Sequence, residues 1–250
     1  MEPLALAKNL YRREAGETVG VSATELARRL DDRSRALREM QRETADRIGG
    51  ILEPGKREAG EKVAAASHEV RGAIRDALAE QPGEMESLQD VSMDATADHL
   101  EQAADDIRGS VGKSGAIHKE LPEGVAGQAM LGREGTATFD AESLVGGERV
   151  VDRDMAEGVA AHEQFHTEQE APDAAEVTLK DGTRITDHEF IEAGAIAAQE
   201  EVNPQSVERL SDDYKAIRGK VGSLLSPDRL VELSRRGKMR QFAAEASLAA

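Results

Sequence analysis

His162-Glu163-Gln164-Phe165-His166 sets two imidazoles four residues apart with a carboxylate between them. On a helix that spacing is about one turn, so both rings face the same point and can share one tetrahedral zinc ion. Glu163 projects beside that face. There a carboxylate can take a proton from water held at the metal and later deliver it to a leaving amine. The plainer alternative is a pair of surface histidines on an acidic helix. Met155, Val159 and Phe165 recur at helical spacing, with small Ala160 and Ala161 ahead of the motif, so a helix is expected from about Asp154 to Gln169. Pro172 ends it. The chain has no cysteine, which excludes disulfides, iron–sulfur clusters and thiol nucleophiles and leaves histidine and carboxylate as the zinc donors.

With these residues the sequence resembles the H-E-x-x-H zinc metallopeptidases, or zincins, in their gluzincin branch. The resemblance rests on His162, Glu163, His166 and the stretch Asp187-His188-Glu189-Phe190-Ile191-Glu192-Ala193-Gly194-Ala195, and covers roughly residues 129–200. It implies Zn2+ as cofactor, His162, His166 and Glu192 as ligands, and Glu163 as general base; Glu192 lies 26 residues after His166. His188, one turn before Glu192 on the same face, and Glu189 stay open as alternative third ligands. Glu189 also forms a capping-box pattern with Thr186. Many gluzincins place an aspartate shortly after the third ligand to orient a histidine; four residues after Glu192 this chain has Ile196. The glycine and histidine of the metzincin continuation are missing after His166.

The resemblance further implies an edge strand before the active-site helix, on which an extended substrate adds as another strand. Ala137–Phe139 is the expected edge. Tyr214 is a candidate donor to a developing oxyanion, although the stripe Val207, Leu210, Tyr214, Ile217 favours core packing. Phe139, Phe165 and Phe190 are three of six aromatic residues in the chain, and read as core of this region ahead of pocket lining.

The elements around the motif follow from periodicity. Ser22 and Glu25 form a capping-box pattern ahead of Leu26, Leu30, Leu37, Met40, Ile48 and Ile51, a run that Gly49-Gly50 weakens and Pro54-Gly55 ends. A second stripe carries Val63, Val70, Ile74 and Leu78, and a third Leu100, Ala103, Ile107 and Val111. Each stripe is narrow, so each helix needs a partner: a helical arm or bundle packing on itself, or a seam for a homo-oligomer or assembly partner. Glycines then punctuate β-type pieces at Ala129–Leu131 and Thr136–Phe139. Glu176–Ile185 alternates in period two around Asp181-Gly182, the pattern of a hairpin. Thr186 opens a helix to about Glu201, Asn203-Pro204 one carrying Val207 through Leu224, and Ser226-Pro227 another; the tail after Met239 is helical. The expected fold is α+β, mostly α: residues 1–114 a helical arm or bundle, residues 115–250 a small zincin-like domain with a short sheet and an active-site helix.

The 250 residues carry a net charge of −17, with 23 arginines against 9 lysines. Such a surface repels phosphate backbones, so a nucleic-acid partner is not expected. Its acid-rich, lysine-poor composition resembles that of proteins from salt-loaded, halophilic cytoplasms. No apolar run is long enough for a membrane span, and Met1-Glu2-Pro3 lacks a signal-peptide pattern. The expected location is intracellular, free or incorporated in a larger particle. Gly112-Lys113-Ser114 matches the end of a P-loop, but Ile107 stands where its glycine is needed. His68, His99 and His118 stand alone. The expected activity is zinc-dependent hydrolysis of a protein or peptide substrate. The alternative is a structural or assembly component carrying an inactive or maturation-only zincin domain. A third is a metal-dependent toxin or effector acting on one host protein.

Overall fold

Proline at the start of α1 (Pro3–Glu14) loses no helical hydrogen bond, and the helix buries Leu6, Ala7, Leu10 and Tyr11. In this computed structural model residues 2–16, 20–52, 92–111, 115–118, 121–122 and 125–249 are described. The stripe Val63–Leu78, Pro54-Gly55, His68 and Gly112-Lys113-Ser114 lie outside them. So do the side chains of Ile48, Ile51 and His118.

After the short β1 (Val21–Ser22), α2 (Ala23–Leu52) runs on through Gly49-Gly50. Ser22 Oγ accepts from the Glu25 amide at 3.2 Å. The Glu25 carboxylate turns to Arg28 and Arg29, so half of the expected capping box forms. α3 (Met93–Ser110), capped by Ser92, packs antiparallel on α2. Arg38 bonds Asp98 and Glu101 at 2.7 and 2.6 Å, Gln41 meets Asp94, and Arg108 meets Asp31. These pairs are exposed, worth about 0–1 kcal/mol each. Leu26, Leu30, Leu100 and Ile107 are fully buried beneath them, and at about 1.5–3 kcal/mol per side chain they hold the hairpin.

The main sheet has the order β1-β2-β4-β3, with β2 (Gly115–His118), β3 (Gly127–Gln128) and β4 (Ala137–Asp140). β2 and β4 are parallel and the other pairs antiparallel. The expectation that Ala137–Phe139 forms the edge is therefore corrected: β4 is bonded on both sides, and among the described residues the edges are β1 and β3. Alternation reports which face is buried, and it cannot tell an interior strand from an outer one. Ala129–Leu131 is not a strand but the approach to a turn, with Met130 56% exposed.

One apolar core takes in α1, α2 and α3 and continues through Ile117, Phe139, Leu144 and Val151 to Ala156, Val159 and Ala160 of α4 (Arg153–Glu168). Asp152 caps α4, accepting from the Met155 amide at 3.1 Å. Farther along α4, Phe165 belongs to a second core with Ile185, Phe190, Ala193, Leu230 and Phe242. The hairpin β5 (Glu176–Thr178) and β6 (Arg184–Thr186) turns through Gly182 at φ +89°, a conformation glycine adopts without strain. Both arms of the Thr186–Glu189 capping box are made at the start of α5 (Asp187–Val202).

The single helix expected over residues 204–224 is broken into α6 (Pro204–Val207), α7 (Asp212–Ile217) and a π turn at Arg218–Gly222. Ser211 caps α7 anew, which takes Tyr214 out of line with Val207. α8 (Pro227–Arg235) and α9 (Met239–Ala249) close the second core. The result is mostly helical with a small sheet. No helix among the described residues is long and apolar enough to cross a membrane.

Candidate metal centre

α4 and α5 pack side by side where the two cores meet. α4 brings His162, Glu163 and His166 to its buried side, and α5 brings Glu192; all four are 8% exposed or less. His162 Nε2 lies 3.2 Å from His166 Nε2 and 3.2 Å from Glu192 Oε2, and His166 Nε2 lies 3.5 Å from that same oxygen. A tetrahedral ion with ligands at about 2.0–2.2 Å needs ligand atoms spaced by about 3.3–3.6 Å. The triangle has the size of one face of such a tetrahedron. Two nitrogens and a carboxylate oxygen form a donor set suited to a divalent transition metal.

Burial alone would raise the Glu192 carboxyl, but His162 and His166 against it hold it well below the usual carboxylate range. Burial pulls the His166 imidazole down, and Glu192 reverses this, leaving it raised. Glu163 is pushed up by burial, against the pull of the two imidazoles. Its carboxylate has no hydrogen-bond partner among the described residues. It lies against the sheet edge: a Cβ on Gly127 would sit 2.7 Å from Glu163 Cγ and 2.9 Å from Val159 Cγ1, so glycine alone fits there.

His188 and Glu189 stand outside this group. The His188 side chain is 69% exposed, with Nδ1 3.8 Å from Glu192 Oε1. Glu189 is held by the Thr186 amide at 2.9 Å and by Lys220 at 2.5 Å. Tyr214 moves the other way. The helix break at Ser211 turns it toward the centre, its ring 5.8 Å from that of His162, and burial with Glu192 and Glu163 raises its hydroxyl to about 12. Phe139, Phe165 and Phe190 pack in the two cores, with Arg235 over the Phe165 ring.

Behind the histidines stands a polar layer that the motif did not announce. Gln199 Oε1 faces His162 Nδ1 at 3.2 Å, and Gln169 Oε1 faces His166 Nδ1 at 2.7 Å. Gln199 donates to Ser206 Oγ, and Gln169 to Ser234 Oγ and the Ile191 carbonyl. Gln199 follows Glu192 by seven residues, two turns along one helix face, so periodicity pointed to it once Glu192 was chosen. Nothing local marks Ser206 or Ser234. In comparisons with known proteins the chain matches no family model, no curated protein and no solved structure.

Proposed function

We propose that the protein is a zinc-dependent metallopeptidase, hydrolysing peptide bonds with Glu163 as general base. The observation that carries this reading is the buried triangle of His162 Nε2, His166 Nε2 and Glu192 Oε2 with the carboxylate of Glu163 beside it, without a hydrogen-bond partner among the described residues. A purely structural zinc has no use for a base. His162, His166 and Glu192 would hold the ion, which when bound supplies a Lewis acid for the scissile carbonyl and lowers the pKa of water. Glu163 takes the proton of the attacking water and passes it to the leaving amine, so it ends the cycle as it began. Among the described residues β3 has no strand on its outer side, so an extended substrate backbone can add there. The Tyr214 hydroxyl, kept protonated by burial beside Glu192 and Glu163, would be the donor toward a developing oxyanion.

Metal analysis combined with Glu163→Gln tests this. Wild type is expected to bind one zinc per chain and to cleave casein or a broad peptide library. Glu163→Gln is expected to keep the zinc and lose cleavage. Absence of cleavage by zinc-loaded wild type, in both low and molar salt, sinks the proposal. It would favour the reading of an assembly component with an inactive centre.

A further inference from the structure

We infer that Gln199 and Gln169 are positioning residues that hold both imidazoles as the Nδ1–H tautomer, and that two backbone carbonyls dictate this arrangement. The inference deepens the metal-centre reading and rests on it for its effect on zinc.

A hydroxyl has one hydrogen to give. Ser206 Oγ lies 2.7 Å from the Asn203 carbonyl oxygen, which can only accept, so the Ser206 hydrogen is committed there. Toward Gln199, 3.0 Å away, Ser206 can then only accept, and the Gln199 amide must present its nitrogen to it. The other end of that amide, its oxygen, faces His162 Nδ1. An oxygen without hydrogen requires a donor, so Nδ1 carries a proton; Nε2 faces a second acceptor, Glu192 Oε2 at 3.2 Å, and turns its lone pair to the centre when an ion takes that place.

The second branch closes in the same way. Both N–H groups of Gln169 are spent, on the Ile191 carbonyl at 3.1 Å and on Ser234 Oγ at 2.7 Å. The Ser234 hydrogen goes to the Phe190 carbonyl at 3.3 Å. A reversed amide would set its oxygen against the Ile191 carbonyl, with no hydrogen between them. Gln169 Oε1 therefore accepts from His166 Nδ1.

Each serine is admitted by a glycine on the neighbouring ligand helix. A Cβ at Gly158 of α4 would come within 2.2 Å of Ser206 Oγ, and one at Gly194 of α5 within 2.2 Å of Ser234 Oγ. Glutamine, serine, glycine and a carbonyl recur on both sides of the centre, built from different elements. Neutral amides fill the place where a carboxylate would make the ligands more basic. They orient the rings while adding no charge.

The test reads tautomers by long-range 1H–15N correlation at alkaline pH in the metal-free Glu192→Ala chain, where no carboxylate competes for an Nε2–H, and zinc affinity in the chain that keeps Glu192 by competition with a chromophoric chelator. The Glu192→Ala chain with both glutamines intact is expected to show Nδ1–H at both His162 and His166. Gln199→Met is expected to release His162 toward the Nε2–H form and to weaken zinc by about 10–100-fold, with Gln169→Met doing the same through His166. Gln199→Glu restores the acceptor toward His162 Nδ1, with the Ser206 hydrogen turning from the Asn203 carbonyl to the new carboxylate, and recovers tautomer and affinity together, which a merely structural role would not require. Circular dichroism checks the fold. If a methionine variant does not fold, Ser206→Ala and Ser234→Ala loosen the same amides while leaving them in place. Nε2–H at either histidine of the Glu192→Ala chain with both glutamines intact overturns the inference, as does zinc affinity within twofold of wild type in both methionine variants. Nδ1–H at both rings of that chain, with no zinc bound by wild type, supports the wiring and overturns the metal centre instead.

Discussion

Two pairs of packed helices divide the work of this protein, and they are joined by different means. The α2–α3 hairpin meets along leucine, isoleucine and alanine, with most of its arginines and carboxylates kept at the surface and Asp106 of α3 buried as an exception. The α4–α5 pair buries two histidines, two glutamates and two glutamines with their serines. Apolar contact is tolerant and additive, so the hairpin can lose an ion pair with little consequence. A buried polar network is stable when every member is satisfied, and each missing partner costs more than a surface bond is worth. Glu163, buried without a hydrogen-bond partner among the described residues, departs from that rule at the point where a reactive base is wanted; Ser34 Oγ of α2 and Asp106 Oδ2 of α3 depart from it in the hairpin.

The sharpest way to separate the pairs is Glu163→Gln. It is expected to reduce kcat/KM on a peptide substrate by about 10²–10⁴-fold, while the melting temperature holds or rises because a buried carboxylate is replaced by a neutral isostere. Loss of both activity and stability would make Glu163 a structural residue. Next in size, Leu100→Ala opens a cavity in the hairpin and is expected to cost about 2–5 kcal/mol in chemical denaturation, with zinc stoichiometry unchanged in the folded protein. A loss of zinc from that folded variant would show that the hairpin supports the centre directly.

Removing zinc with a chelator should lower stability by about 4 kcal/mol relative to free zinc held at a thousand times its Kd. An unchanged melting curve would mean that the ion is not part of the folded state. Gly194→Ala drives a methyl into Ser234 and is expected to cost about 1–3 kcal/mol, together with weaker zinc binding. The same substitution at exposed Gly219, which meets nothing within 4 Å, should leave zinc binding untouched.

The smallest effect lies on the surface of α2. Arg28 and Arg29 lower the Glu25 carboxyl to about 2 from its ordinary 4.5. A depressed folded value means stability that is present above the unfolded value and fades as pH falls toward about 2. Glu25→Gln should flatten that part of the acid-melting profile, and molar salt should flatten it further. A steep residual slope in the variant would assign the acid sensitivity to the other depressed carboxylates, Glu245 beside Arg229 and Glu192 in the centre among them.

Much of the architecture could be read from local pattern. The helix over His162–His166, the turn at Gly182, the Thr186–Glu189 box and the stripes of α2 and α3 depend on period, capping and turn chemistry within a few residues. Where the reading failed, the decision was made across the chain. β4 became interior because β2 and β3 both chose it. The helix after Asn203 broke because Ser211 offered a new cap, and Tyr214 thereby left the core for the centre. The choice among Glu192, His188 and Glu189 was open on helix spacing alone, since all three lie within one turn or so of each other.

By itself, then, the sequence determined the pair of histidines one turn apart with a carboxylate between, the absence of thiolate donors and the helical character of the chain. Each follows from residue type and short spacing, which the backbone converts into geometry by itself. Tertiary structure alone decided that Glu192 meets both histidines at ligand spacing, that Gln199 and Gln169 stand behind them, and that Gly158 and Gly194 leave room for the serines. Apart from Gln169 behind His166, three positions on, those choices join residues 7 to 65 positions apart, and they are settled by how α4, α5, α6 and α8 pack, because a hydrogen bond between distant residues exists only once burial has brought its partners together.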